Sequence, residues 1–268
     1  MQQSLAVDIF FIKELAFLIG KLSPLGLGLA LYLKDRTTDS VGKGIRSFLN
    51  TAMSRSFECK EIRTDGEGAV AAMVPELHGL GIPVSTSGPG QHVSPVERLI
   101  QEVKKRVRAH EHGLPFVMCK VLLIYCVLFC VRCINMQSSR TSIDHTSPLK
   151  LDAKRDLRVG LGDYLEATVP NTDNTMAART AGCIALLPTG NLTGSVYVWM
   201  LGSNAVVKRD QFRILPTPDT VITHLNKLAA LDGYSRGFDP TLDRQVLEAE
   251  DVEDDDDDDD IALLPPLP

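Results

Sequence analysis

The first apolar run, "LAVDIFFI" from Leu5 to Ile12, is almost continuous and rich in residues that favour strands, which predicts a strand covered on both faces. Two more strand-like runs follow, near Leu15 to Ile19 and Leu27 to Leu33. "TTDSVGKGIRSFLNTAM" reads as a helix, and "FECKEIR" as a short strand running up to Asp65. Gly66 to His78 predicts a further helix, "GIPVS" a short strand and "TSGPGQH" a flexible loop. Strands and helices thus alternate after an antiparallel-looking opening, the order of an α/β layered domain.

The pattern is sharpest in "SPVERLIQEVKKRVRAH". Ser94 stands at an N-cap position, Pro95 at the first helical position and Glu97 three residues after the cap, which together make a capping box. Val96, Ile100, Val103 and Val107 recur at helical spacing, while Glu97, Gln101, Lys104 and Arg108 share a second stripe. A more apolar helix is expected from about Pro115 to Met136, followed by a polar connector that suits a domain boundary.

Beyond the connector the period changes to two. Leu165, Ala167 and Val169 alternate with polar residues in "GDYLEATV", as do Val196, Val198 and Met200 with Tyr197 and Trp199 in "SVYVWM". With "CIALL", "AVV" and "QFRIL", these short strands predict a small barrel. Thr220 to Leu231 reads as a last helix, and "DVEDDDDDDDIALLPPLP" has too little to bury to fold on its own.

Charge changes the picture because it is unevenly spread. The net charge of −6 conceals 13 acids and one base from Asp239 onward, so the first 238 residues carry +6. That is a mildly basic body with an acidic tail. The six cysteines follow no secreted-framework spacing, and reduced intracellular thiols are expected. "CVRC" lies inside the apolar run "VLLIYCVLFCVRC", where small buried thiols are commoner than zinc ligands. That run is too short between Lys120 and Arg132 for a bilayer, and the N-terminus has no basic segment before its apolar residues. The expectation is an intracellular protein with no membrane partner.

Asp8 is the lone charge in its run, and a carboxylate in such a strand needs a partner or a cation. Asp65 closes another strand and Glu97 opens a helix with a basic face. There are 56 residues between Asp8 and Asp65 and 31 between Asp65 and Glu97. Around these carboxylates, "VDIFFI", "FLIGKLSPL", "IRTDGEG", "GIPVSTSGPGQHVSPVERLIQEVKKRVRAH", "LLIYCVLFCVRCINM", "LRVGLGDYLEATVP" and "RDQFRILP" resemble, in order, the integrase region of copia-type LTR retrotransposon polyproteins. The resemblance spans about Leu5 to Pro218 and is most specific around Gly81 to His110.

The resemblance implies an RNase H-like catalytic core, a mixed sheet flanked by helices, over residues 1–137. A linker at 138–154, a small SH3-like barrel for DNA at 155–218, and a helix with a disordered acidic tail at 219–268 would follow. It implies that Asp8, Asp65 and Glu97 are catalytic and hold Mg²⁺ or Mn²⁺, whose preference for hard oxygen ligands suits carboxylates. His92, Arg98, Lys104, Lys105 and Arg108 would contact DNA, with Arg106 on the same basic helix. DNA ends and target DNA, a homo-oligomer and a nuclear setting belong to the same implication. Two details differ from the family pattern: the Asp65 to Glu97 interval is a few residues short, and His92-Val93 replace a common Asn-Gly pair. No His/Cys zinc module precedes Asp8 in this sequence, which points to a polyprotein piece. The competing reading is a catalytically idle DNA-binding remnant.

Overall fold

A computed structural model describes residues 2–64, 68–86, 94–137, 148–149, 152–169, 176 and 178–235. Its opening follows the apolar runs closely: β1 (Gln2–Ile12), β2 (Leu15–Ser23) and β3 (Leu27–Leu33) form an antiparallel meander. Helix α1 (Thr38–Met53) comes next, its first turn capped by the Thr37 hydroxyl, which accepts the Ser40 N–H. Strand β4 (Glu58–Thr64) then pairs in parallel with β1. Two short helices, α2 (Gly68–Ala71) and α3 (Val74–Gly79), lead to β5 (Val84–Thr86), which is parallel to β4. The sheet order is β3-β2-β1-β4-β5, so β1 is central.

The single helix expected over Gly66 to His78 is instead two. Pro75 has no N–H with which to continue the ladder to Ala71, and its ring crowds that turn, so the chain breaks and restarts.

Strand alternation divides the sheet into two packed faces. Leu5, Val7 and Ile9 of β1 join Ala16, Leu18 and Leu22 of β2 beneath Val41, Ile45, Phe48 and Leu49 of α1. Gly44 lets α1 approach this closely, because a Cβ there would collide with Leu18. On the other face, Ala6, Phe10, Phe17 and Ile19 pack with helices α4 (Ser94–Gly113) and α5 (Lys120–Asn135). Val96, Leu99, Ile100, Val103 and Val107 are the buried stripe of α4, as the spacing predicts. Helix α4 begins at Ser94 itself, so Ser94 is its first residue rather than its cap.

Helix α5 starts at Lys120, five residues later than its apolar pattern suggests. The N–H of Val117 donates to Asn226 Oδ1 at 2.8 Å and that of Lys120 to Asp232 Oδ2 at 2.7 Å. Asn226 lies in a distant helix and Asp232 just past its end, so the segment that enters α5 is tied across the fold, the Lys120 N–H of its first turn included.

After the short α6 (Ala153–Asp156), a second five-stranded sheet is built from β6 (Tyr164–Thr168), β7 (Thr180–Pro188), β8 (Val196–Met200), β9 (Ala205–Arg209) and β10 (Phe212–Ile214). All its pairings are antiparallel, in the order β10-β6-β7-β8-β9. Four strands therefore form a meander, and the fifth returns to the first. Val196, Val198 and Met200 are buried with Leu165, Ala167 and Cys183. Arg158 ties the ends together: its guanidinium donates to the carbonyls of Gly194 and Asp210 and stacks 4.4 Å from the Phe212 ring centroid. Helix α7 (Asp219–Leu231) closes the described chain.

The protein is mixed α/β with two sheets, and α5 touches both. Its buried residues share one core with β3-side aromatics, with Ile184, Leu186 and Trp199 of the second sheet, and with Leu225 and Ala229 of α7. Among the described residues no helix is long and apolar enough to cross a membrane.

Candidate functional site

Asp8 sits at the middle of the central strand, between Ala6 and Phe10 in the alternation, and therefore on the face that α4 covers. It is half-buried. Its Oδ1 accepts the Ile9 N–H at 2.6 Å, which holds the carboxylate against its own strand. Helix α4 packs on β1 and β2 and brings Lys104 towards Asp8. Burial holds the Lys104 ammonium below the ordinary lysine range and Arg108 pushes it the same way, while the Asp8 charge pulls it back up.

Glu97 lies in the first turn of α4, half-buried and two turns before Lys104 on one stripe. Two of the three carboxylates singled out in the sequence therefore stand on elements that pack together. Strand β4, whose register with β1 runs to Ala6↔Arg63, ends at Thr64. Asp65 itself, and His92, lie outside the described residues. Among the described residues no three His, Cys, Asp or Glu side chains form a group that would hold a metal.

The basic residues of α4 separate into different roles. Arg98 and Lys105 are exposed, while Lys104 and Arg108 are half-buried. Arg106 is turned inward to the protein: its Nε donates to Glu102 Oε1 and its Nη2 to Gln137 Oε1 at 2.6 Å. The sequence placed it with the cations available to DNA; the fold uses it to join α4 to the end of α5. His110 likewise is more than a surface residue, since its ring meets Phe129 edge-on with centroids 5.5 Å apart. It also lies beside Cys130, whose thiol is brought down to about 6 by hydrogen bonds from Cys126 and His110. All six cysteines are free thiols, and Cys126 and Cys130 are fully buried.

One residue near the carboxylates was missed. Lys21 pairs with Ala6 across β1 and β2 and shares the α4 face with Asp8. Its signal was the same as that of Asp8, a lone charge inside the apolar strand "LAFLIGKLS". On the second sheet, Lys208 and Arg213 are exposed, the former 5.3 Å from the Tyr197 ring centroid, whereas Arg209 is half-buried.

The fold and this arrangement define a mixed α/β protein whose central strand presents a carboxylate to a basic amphipathic helix. No family model matches the chain, and no curated protein matches it. Among solved structures it is similar to the catalytic core domain of BIV integrase, at 16% identity over 54% of this chain and 89% of that one, with a TM-score of 0.42. A likeness at that level assigns neither fold family nor activity.

Proposed function

We propose that the chain is the catalytic core and adjoining strand module of a DNA-integrating polynucleotidyl transferase of the copia type, with an RNase H-like core and an SH3-like barrel. The observation that carries this is Asp8, the only charge within the apolar stretch from Leu5 to Ile12, facing the helix that bears Glu97. Beside it runs β4, which ends one residue before Asp65. The sheet order, an antiparallel meander continued by parallel strands, supports the same reading.

The donor chemistry fits a hard divalent cation, because Asp8, Asp65 and Glu97 offer only carboxylate oxygens. Mg²⁺ or Mn²⁺ held there supplies an activated water or 3′-hydroxyl and stabilisation of the leaving oxygen. The chain's own residues do the rest. Asp8 is fixed by the central strand and the Ile9 N–H, so its carboxylate needs little reorganisation. Glu97 is carried by a helix whose buried stripe locks its orientation. Arg98, Lys104, Lys105 and Arg108, together with His92, position the DNA backbone. On the second sheet, exposed Lys208 and Arg213 are further cations for phosphate. No protein nucleophile is required. Function in the nucleus and as a homo-oligomer belongs to this reading.

The test is Asp8→Asn and Glu97→Gln in a strand-cleavage and strand-transfer assay with Mg²⁺ or Mn²⁺. Both variants should fold and still bind DNA, but joining should fall by two orders of magnitude or more, on the order expected when one transition-state-stabilising group is removed. A Gln variant with undiminished transfer removes Glu97 from the mechanism. A parent that binds DNA but never joins strands, with either metal, favours the idle DNA-binding remnant.

A further inference from the structure

Away from the carboxylates, the rim of the first sheet holds a cavity of about 470 Å³. Small-molecule sites run from about 300 to 1,000 Å³. Its walls come from distant parts of the chain: the end of the β1–β2 hairpin at Phe11 and Glu14, the end of β3 at Tyr32, and the start of α5 with the residues just past α7, at Lys120 and Tyr234. Phe11 follows Asp8 by three residues on β1 and alternates to the other side of the strand. The cavity is therefore separate from the carboxylate site.

Two of its aromatic walls are held in place by the fold. Tyr32 meets the Phe17 ring edge-on, with centroids 5.8 Å apart. The Lys13 ammonium lies 4.7 Å from the Tyr234 ring centroid and is itself fixed by Glu111 of α4 at 2.8 Å. The Tyr234 N–H donates to the Ala229 carbonyl at 2.8 Å. Rings already fixed lose little freedom when a flat ligand packs against them.

The charges of the lining differ in what they already touch. Asp35 accepts both the N–H and the hydroxyl of Thr37, and Asp232 accepts the Lys120 N–H, so these two carboxylates are engaged by the chain. The Lys34 and Lys120 ammoniums have no hydrogen bond or ion pair among the described residues, and the Arg36 guanidinium overlies the Phe11 ring, 5.5 Å from its centroid. Three cations thus stand against one unengaged acid, Glu14. A single carboxylate on a ligand would leave most of that charge unmatched. A phosphate monoester brings roughly two negative charges and three strong acceptor oxygens, and an arginine fork suits it.

We propose that this cavity binds a nucleoside monophosphate, with the base against the Tyr32 and Tyr234 rings and the phosphate on Arg36, Lys34 and Lys120. Glu14 accepts a hydrogen bond from an amine of the base or a hydroxyl of the sugar. The inference does not depend on the integrase reading, since it uses none of the residues assigned to strand transfer. The same chemistry is offered by a free nucleotide and by the phosphorylated end of a strand.

The experiment titrates the full chain with AMP, adenosine and inorganic phosphate by calorimetry, with EDTA present so that no divalent cation takes part. AMP should bind, and more tightly than either of its halves. Arg36→Gln, at an exposed position, should weaken AMP by about tenfold or more, the loss of one charge-assisted hydrogen bond. Tyr234→Leu should weaken AMP and adenosine alike, and Tyr234→Phe should restore the ring and the binding. Exposed Lys60 on β4, changed to Gln, is the control and should change nothing. If Tyr234→Leu does not fold, the comparison of AMP with inorganic phosphate in the parent tests the contribution of the base.

A parent that does not bind AMP overturns the proposal, as does AMP held no more tightly than phosphate or than adenosine. Binding that ignores both Arg36→Gln and Tyr234→Leu places the nucleotide elsewhere and overturns it too. Binding that Arg36→Gln weakens, in a chain that never joins strands, upholds the cavity and removes the integrase reading. A 5′-phosphorylated single-stranded oligonucleotide then separates the sources: displacement of AMP in the parent assigns the cavity to a strand end, and no displacement assigns it to the free nucleotide.

Discussion

Helices α4 and α5 are consecutive, of similar length and packed on each other, yet their sequences have little in common. The first has one apolar stripe and otherwise charged residues; the second is apolar nearly all round, and its one internal charge is Arg132. The difference follows from what lies on the far side of each. Beyond α4 there is solvent, to which Arg98 and Lys105 are exposed. α5 lies between β3 of the first sheet and β7 of the second, so it meets protein on two sides. Its single arginine must then be matched. Arg132 Nη2 donates to Asp156 Oδ1 at 2.6 Å, with the Asp156 side chain only 4% exposed, and its guanidinium lies against Gly190 of the β7–β8 loop. Arg98 and Lys105 on α4 are therefore open to function, whereas Arg132 on α5 is a fastening.

That contrast breaks most sharply at Arg132. Arg132→Ala takes the guanidinium away from the buried Asp156 carboxylate, and should destabilise the fold by about 3–5 kcal/mol. Urea denaturation should show the midpoint falling with little change in slope. Replacing both Arg132 and Asp156 with apolar residues should recover much of the loss, because no stranded charge remains.

Leu122→Ala, at a fully buried position on α5, should cost about 2–5 kcal/mol through the cavity it leaves. Its counterpart on α4, Lys105→Ala, should stay within about 0.5 kcal/mol of the parent. Equal costs at the two positions would mean that α4 is covered in solution.

Asn135, at the end of α5, grips the edge strand by both of its amide atoms. Oδ1 accepts the Gly28 N–H and Nδ2 donates to the Gly28 carbonyl, each at 2.7 Å. Asn135→Ala should cost about 1–3 kcal/mol by orphaning those backbone groups, and hydrogen exchange at Gly28 should quicken.

The smallest effect is a pH dependence on the α4 side. Burial and the neighbouring Arg98 hold Lys21 below its ordinary value of 10.5. The unfolded chain therefore binds this proton more readily than the folded one between the lowered value and 10.5. Stability contributed by Lys21 should rise with pH across that window, and Lys21→Gln should flatten the rise. NMR of the Lys21 side-chain nitrogen would follow the lowered titration.

Much of the candidate site was legible because its signals are local. Asp8 stood out as a charge in an apolar strand, and Glu97 as the first acid of a capped amphipathic helix. Lys21 carried the same signal as Asp8, but in the sequence it served only to interrupt an apolar run. Arg106 was misplaced because periodicity gives the face of a helix but not which long side chain will fold back upon a neighbour.

The sequence by itself determined the identity and order of nearly every element, since periods of two and 3.6 are set by backbone geometry and burial, which act residue by residue. The break between α2 and α3 at Pro75 is an exception, since the pattern there was read as one helix. Only the tertiary structure decided what depends on residues far apart in the chain. The start of α5 at Lys120 requires Asn226 and Asp232; the return of β10 to β6 and the seating of α5 between two sheets depend on which surfaces meet. The nearness of Lys104 to Asp8 arises because α4 packs on β1 and β2. Local pattern fixes which face a side chain occupies, and the packing of distant segments fixes what it finds there.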